Sequence, residues 1–333
     1  MESNLALYRK YRPSSFKTVV GQSQVVKVLE AAVENNKISH AYLFSGSRGT
    51  GKTSVARIFA KLIGTSPVDL YEIDGASNNG VDEVRELREA VRTLPFQSKY
   101  KVYIIDEVHM LSKSAFNALL KTLEEPPPHV IFILATTESY KIPDTIISRC
   151  QNFVFKKPSN EEIIEVLSGI VKKEGYKIEK DSLDLIALLS EGSFRDALTI
   201  LEKILTISKN KIIEVNEVEA VTGAPKSELV EKFLSGILAS NTEDSLKILE
   251  KARETNLDMR VFTKLVLKLA REHMLASLAP DLVKDRDSKT SITTDQAKKL
   301  PNILRAFLNA YNDIGYAYIP TLPLELAVID LCQ

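Results

Sequence analysis

The sequence contains no tryptophan, only two cysteines, no net charge and no long apolar run. Cys150 and Cys332 show neither metal-ligand spacing nor a disulfide framework. Thiol chemistry is therefore not expected, and a reducing compartment fits. Lys plus Arg and Asp plus Glu both total 44, so overall charge supplies no attraction to nucleic acid, and any such contact must come from a local basic face. The longest apolar run, VIFILA, is strand-sized and far short of the roughly 18 residues of a membrane span. The N-terminal stretch MESNLALYRKYRP turns basic early and has no apolar core, unlike a secretory signal. A cytoplasmic protein without membrane contact is the expectation.

The 333 residues are 44% hydrophobic and 26% charged, ordinary values for a soluble chain of two or three domains. From Gln22 to Asn35, Val25, Val26, Leu29, Ala32 and Val33 recur at helical spacing. HAYLFSG then reads as a strand running into glycines, and KTSVARIFAKLI as the helix after them. LYEID, KVYIIDEV and HVIFILATT have the compact apolar character of parallel strands covered on both faces. Helical patterns from Val81 to Thr93 and from Ser112 to Glu125 separate them, the second closed by Pro126, Pro127 and Pro128. Strand–helix alternation predicts an α/β unit with a mostly parallel sheet over 1–157. After Pro158 the strand signals stop. Three amphipathic helices follow (Asn160 to Lys173, Asp181 to Glu191, Phe194 to Ile207), with Ser193 as N-cap of the third. These fill a region 158–221. Region 222–333 reads as a separate all-helical domain, with patterns at Leu229 to Ala239, Glu243 to Glu254, Met259 to Ala276 and Gln296 to Tyr311, interrupted by a polar segment from Lys284 to Asp295.

GSRGTGKT, Gly46 to Thr53, fits the G-x-x-x-x-G-K-[ST] phosphate loop, and it lies between a strand and a helix as that mechanism requires. Gly46, Gly49 and Gly51 let the backbone curl so that N–H groups face phosphate oxygens. Lys52 reaches the β and γ phosphates, and the Thr53 hydroxyl takes Mg²⁺. A chance glycine-rich turn would lack this context. In YIIDEVH, Asp106 and Glu107 end an apolar strand. Asp106 is placed to hold the metal, and Glu107 to orient and polarise the attacking water. A solvated acidic strand end is the bland alternative. His109 extends the run to DEVH, which invites a helicase reading, but no second motor domain follows. Thr136 and Thr137 end VIFILATT at the sheet edge where doubly wound folds bind ligand. Arg195, in GSFRDAL, falls in the first turn of a helix, a poor place for a cation unless it faces an anion. In TIISRCQNF, Arg149 has no acidic residue close by in sequence.

Taken together, the chain resembles the AAA+ ATPases and, among them, the gamma/tau subunits of bacterial DNA polymerase III clamp loaders. The resemblance lies in LYRKYRPSSFKTVVGQ, HAYLFSGSRGTGKTSVAR, IDGASNNGVDEVREL, the long block KVYIIDEVHMLSKSAFNALLKTLEEPPPHVIFILATT, KIPDTIISRCQNFVF and GSFRDAL, which cover most of residues 5 to 200. It implies an AAA+ domain, a three-helix lid and a helical oligomerisation collar, with ATP and Mg²⁺ as cofactors. Ser47, Arg48, Thr50 and Ser54 join the glycines, Lys52 and Thr53 in the nucleotide site. Thr137 corresponds to the sensor-1 polar residue and Arg195 to the sensor-2 arginine. Arg9, Tyr11, Arg12, Pro13, Val19 and Val20 fall where the family's N-terminal segment closes over adenine. Arg149 matches the arginine finger, whose partner is the nucleotide of a neighbouring subunit.

Two departures from the family pattern stand out. The usual four-cysteine zinc module is missing, because AKLIG runs through TSPVD into LYEID; no zinc is expected. Asn78, Asn79 and Gly80 stand where relatives often carry basic residues, which weakens an expectation of DNA contact there. The function implied is an ATP-driven motor that opens a sliding clamp on primer-template DNA, in company with delta, delta-prime and further gamma/tau subunits. A non-hydrolysing, delta-prime-like structural subunit is opposed by the intact Lys52, Thr53, Asp106 and Glu107. A branch-migration motor is opposed by the lack of a winged-helix pattern after the lid.

Overall fold

The computed structural model describes residues 5–77, 86–87, 89–208, 210–279 and 293–332. Asn78, Asn79 and Gly80, part of the helical pattern from Val81 to Thr93 and most of the polar segment from Lys284 lie outside the described residues. The chain divides into two compact units, Met1–Ile213 and Glu214–Gln333.

The first unit is built on five parallel strands: β1 (Ala41–Ser45), β2 (Leu70–Asp74), β3 (Lys101–Asp106), β4 (Val130–Thr136) and β5 (Gln151–Val154), in the spatial order β2-β3-β4-β1-β5. Alternate residues of the central strands serve two cores. Tyr42, Phe44, Val102, Ile104, Ile131 and Ile133 pack with helices α2 (Ser23–Glu34) and α3 (Lys52–Leu62). Ala41, Leu43, Tyr103, Ile105, Phe132 and Leu134 pack with α4 (Lys113–Glu124). Cover on both faces explains the unbroken apolar runs of β3 and β4. The edges differ. β2, read from sequence as covered on both faces, has a single strand neighbour, and Tyr71 is 39% exposed. β5 was not legible as a strand because Gln151, Asn152 and Val154 face solvent, leaving Phe153 to touch the core.

Between α3 and β2 the chain turns through Pro67–Asp69. Asp69 is buried and accepts backbone N–H bonds from Phe96 (2.6 Å), Gln97 (2.9 Å) and Ser98 (2.8 Å). Burial opposes its ionisation, but these donors hold the carboxyl at a pKa of about 2.

Three helices complete the unit: α6 (Asn160–Lys173), α7 (Lys180–Leu189) and α8 (Phe194–Ile207), α5 being the short Asp144–Ile147. A capping box between Ser159 and Glu162 starts α6, and the Ser193 hydroxyl accepts from Asp196 N–H to start α8, satisfying donors that helix starts leave free. Ile163, Leu167, Ile186 and Leu201 are fully buried among these helices. The strand signal does not end at Pro158, as the sequence suggested: Lys177–Ile178 pairs in parallel with Ile212–Ile213. Two residues are too few to leave a periodic trace.

The second unit is helical among its described residues: α9 (Val215–Thr222), α10 (Ser227–Leu238), α11 (Thr242–Glu254), α12 (Met259–Leu278), α13 (Thr294–Asp313) and α14 (Leu322–Cys332). Phe233 lies at its centre, edge-to-face with Phe262 at 5.1 Å and Phe307 at 5.7 Å.

Candidate active site

Parallel pairing brings the C-terminal ends of β1, β3 and β4 to one edge, where Ser45, Asp106 and Thr136 end their strands. The phosphate loop leaves β1 with Gly46 N–H donating to Thr136 O at 3.2 Å. Thr50 is buried and its hydroxyl donates back to Ser47 O at 2.9 Å, while Arg48 is exposed. α3 starts at Lys52, so the loop lies over its free N–H groups, and Thr53 and Ser54 occupy the first turn. Lys52 is only 6% exposed, and its Nζ donates to the carbonyls of Gly46 (2.8 Å) and Ser47 (3.0 Å). Burial pulls its pKa down, while the charges of Glu107 and Asp106 oppose that. The Ser47 hydroxyl is buried without a partner. A buried ammonium held by carbonyls alone, beside an unmet hydroxyl and a helix N-terminus, is a cradle for an anion.

Across this cradle, Thr53 Oγ1 donates to Asp106 Oδ2 at 2.7 Å. Glu107 leaves β3 at φ 47, an uncommon conformation for a non-glycine residue, and its N–H bonds Asp106 Oδ1 at 3.0 Å. Its Oε2 accepts from Thr137 twice, from the N–H at 3.2 Å and from the hydroxyl at 2.9 Å. The structure thus joins Lys52, Thr53, Asp106, Glu107 and Thr137 from three separate stretches of sequence.

The helices after β5 close over the loop. Phe194 N–H, at the start of α8, donates to Gly49 O at 3.1 Å. Gly49 has φ +75, and a Cβ there would lie 2.0 Å from Ser193 Oγ, so only glycine permits this approach. Arg195 is exposed and stacks over the ring of Tyr8, 4.8 Å from its centroid. The N-terminal segment is strapped to the same helices. α1 (Leu7–Lys10) packs on α8, and Lys10 (2.7 Å) and the Tyr11 hydroxyl both donate to Glu174 at the end of α6. Arg9 is exposed and donates to Tyr8 Oη at 3.2 Å, Arg12, Pro13 and Val20 are half-buried, and Val19 packs against the core of α2 and α3. Gln22 bonds Lys156 in both directions, through Nε2 to O at 2.8 Å and Oε1 from N at 3.2 Å. Tyr8, Gln22 and Glu174 were missed in the sequence. Gln22 does carry a signal, a polar residue that turns out 3% exposed at the head of an amphipathic helix, whereas Tyr8 and Glu174 acquire their roles only through partners far along the chain.

The bonds of Arg149 go to Thr145, Ser148 and Glu124, none of them part of this cluster. It has the in-chain partner that sequence proximity could not show: its Nη2 bonds Glu124 Oε1 at 2.9 Å, and its Nη1 donates to Thr145 O at 2.7 Å. Both side chains of the ion pair are partly exposed, at 34% and 49%. In the adjacent Cys150, burial pushes the thiol up to about 12, so it stays protonated at neutral pH.

Comparison with known proteins agrees with this geometry. Residues 21–69 and 66–159 match the family "DNA polymerase III, delta subunit", and 162–210 match "DNA polymerase III clamp loader subunit, ATPase lid domain". The DNA polymerase III subunit tau of Bacillus subtilis is 40% identical across 98% of this chain and 63% of its own length. The gamma/tau subunit of Mycoplasma genitalium is 40% identical over 86% of this chain and 52% of its own. The subunit gamma of Buchnera aphidicola subsp. Baizongia pistaciae is 37% identical over 95% and 89%. The chain thus spans about half to two-thirds of the length of the first two relatives. Among solved structures, a point variant of Thermotoga maritima RuvB aligns with TM-score 0.55 at 23% identity over 68% of this chain and 79% of that one, and the RuvB Holliday junction branch migration motor with 0.54 at 24%. At that identity the likeness shows a shared AAA+ fold alone. No helix among the described residues is long and apolar enough to cross a membrane. The chain, with its phosphate loop, paired strand-end carboxylate and overlying lid helices, belongs to the DNA polymerase III gamma/tau subunit family.

Proposed function

We propose that this chain is an ATP-driven motor subunit of a cytoplasmic DNA polymerase III clamp loader, which binds and hydrolyses ATP to open a sliding clamp and load it on primer-template DNA. The observation that carries the reading is the convergence of Thr53 Oγ1 and Asp106 Oδ2 at 2.7 Å beside the buried Lys52. One hydroxyl and one carboxylate oxygen are the hard donors that suit Mg²⁺, which keeps several waters besides. Thr53 and Asp106 would hold the ion, and when bound it would neutralise charge between the β- and γ-phosphate oxygens. Lys52, the loop N–H groups and the start of α3 would bind the phosphates; Gly46 to Ser54 would wrap them. Glu107 would orient the attacking water, held in place by Thr137, and Arg195 would turn from Tyr8 to the γ-phosphate. Arg9, Tyr11, Arg12, Pro13, Val19 and Val20 would enclose the adenine.

Arg149 would act on the ATP of a neighbouring subunit. Such fingers lower the barrier by about 4–7 kcal/mol, or ~10³–10⁵ in rate. An exposed ion pair like that with Glu124 is worth only about 0–1 kcal/mol, so assembly can draw Arg149 away at little cost. Delta, delta-prime, further gamma/tau copies and the clamp are the proposed partners. The deciding measurement is the ATPase rate with and without clamp, primed DNA and the other loader subunits. The rate should be low for the chain alone and rise when all are present. Full-speed turnover by the isolated chain, indifferent to all of them, refutes the proposal.

A further inference from the structure

Glu174 stands at the C-terminal cap of α6, where the helix dipole disfavours a negative charge and where Lys172 and Lys173 of the last turn suit it. An acid in that place needs partners from elsewhere. They come from the start of the chain: Lys10 Nζ donates to Glu174 Oε1 at 2.7 Å, and the Tyr11 hydroxyl donates to the same oxygen. These two donors, Lys10 first, keep the carboxyl below its usual range. Lys173 adds a cation over the Tyr11 ring, 5.7 Å from its centroid. α1 depends on such contacts, because a helix of four residues does not hold itself together in water. Leu7 is buried, Tyr8 stacks with Arg195, and Glu174 clasps the end of α1. In the reading above Arg195 leaves Tyr8 for the γ-phosphate, whereas the bonds to Glu174 can persist. Further along, Phe16 is only 5% exposed, in the core of α2 and α3. The stretch between is thus fixed at Glu174 on one side and at Phe16 on the other.

We infer that Glu174 is a positioning residue for nucleotide binding: by clasping Lys10 and Tyr11 it holds residues 9–13 on the lid helices, in the place from which they enclose adenine. The inference rests on the adenine role proposed above for Arg9, Tyr11, Arg12 and Pro13. It separates the two halves of the ligand. The phosphates are met by a loop whose own bonds, from Lys52 to Gly46 and Ser47, do not involve the clasp. Recognition of the base, by contrast, depends on a carboxylate 164 positions further along the chain than Lys10. A segment released at that end gains conformational freedom that binding must then remove.

The test compares equilibrium binding of a non-hydrolysable ATP analogue with that of inorganic tripolyphosphate, both with Mg²⁺, by the full chain in its assembled complex. Hydrogen exchange of the Lys10 and Tyr11 amides, bonded to Ala6 O at 3.0 Å and Leu7 O at 2.9 Å, reports on α1 directly. Glu174→Ala should quicken that exchange and weaken analogue binding about 3- to 10-fold, the range of an exposed ion pair joined by a hydrogen bond, while tripolyphosphate binding stays within about twofold of wild type. Lys10→Glu should do the same, and the charge-reversed pair Lys10→Glu/Glu174→Lys should recover most of the loss. A merely structural role in α6 would weaken both ligands, since the lid helices also rest on Gly49, and reversing the charges would not restore it. Unchanged exchange in Glu174→Ala, equal loss for the two ligands, or a double variant no better than Lys10→Glu overturns the inference. Quickened exchange that the double variant restores, with analogue binding unaltered throughout, refutes instead the adenine reading of residues 9–13.

Discussion

The contact between Gly49 and the start of α8 can be tested by adding a single methyl group. In Gly49→Ala the new Cβ would meet Ser193 Oγ at 2.0 Å and Ser193 Cβ at 2.9 Å, at a residue with φ +75. The left-handed backbone alone costs a non-glycine residue about 1–2 kcal/mol. Relief of the clash requires α8 to withdraw, which breaks the Phe194 N–H to Gly49 O bond of 3.1 Å, worth about 0.5–1.5 kcal/mol. The sum is about 2–3 kcal/mol, or roughly 30- to 150-fold in affinity for a nucleotide that requires the closed arrangement. Titration of a fluorescent ATP analogue reads this directly. The second arm separates loop strain from obstruction of the lid. Ser193→Gly removes both clashing atoms and, as an N-cap change, costs only a few tenths of a kcal/mol. Gly49→Ala/Ser193→Gly should therefore bind about tenfold better than Gly49→Ala, leaving the backbone strain as the residual loss. Near-wild-type binding by Gly49→Ala, or a double variant no better than the single, would refute the idea that lid approach is what reserves this position for glycine.

Other consequences follow from the same structure. Lys52→Ala should abolish nucleotide binding measured in that titration, since it removes the buried ammonium that Gly46 and Ser47 hold through their carbonyls. Arg149→Ala should leave ATP affinity near wild type while removing clamp- and DNA-stimulated turnover. Glu124→Gln should preserve that turnover and shift stability by less than about 1 kcal/mol; equal loss of binding and turnover in Arg149→Ala would count against action on a neighbour. The Asp69 clasp should be visible in acid. Its folded pKa of about 2 lies below the ordinary 3.8, so its contribution is complete above pH 4 and is lost as pH falls towards 2. A tenfold change in acidity corresponds to about 1.4 kcal/mol, so the clasp contributes about 2 kcal/mol at neutral pH. Denaturant unfolding at pH 6 and at pH 2 should show a gap between wild type and Asp69→Asn that closes in acid, and a pH-independent gap would contradict the assignment.

How much of this could be read from the sequence depends on whether the cause of each feature is local. α6 and α8 run over the spans their periodicity predicts, because an amphipathic stripe and a serine cap act within one turn of the chain. The phosphate loop and the Asp106–Glu107 pair were legible for the same reason: the mechanism demands those residue types next to a strand end. β5 was not, because an edge strand with one neighbour needs only Phe153 inside and leaves no alternation to see. Nor was the partner of Arg149, since Glu124 comes 25 residues earlier and meets it only after β4 has crossed the sheet.

His109 shows the difference most sharply. As part of a four-letter string it suggests a helicase, a suggestion resting on resemblance of symbols. Once Thr136 and Glu138 are seen on either side of its ring, the same residue becomes a buried side chain held at the end of β4. The first reading rests on four letters alone, the second on contacts observed at the end of β4. Residues that bind phosphate directly are constrained by the ligand and so repeat as motifs. Those that hold them in place are constrained by the fold, and they become legible only when the strands are laid side by side.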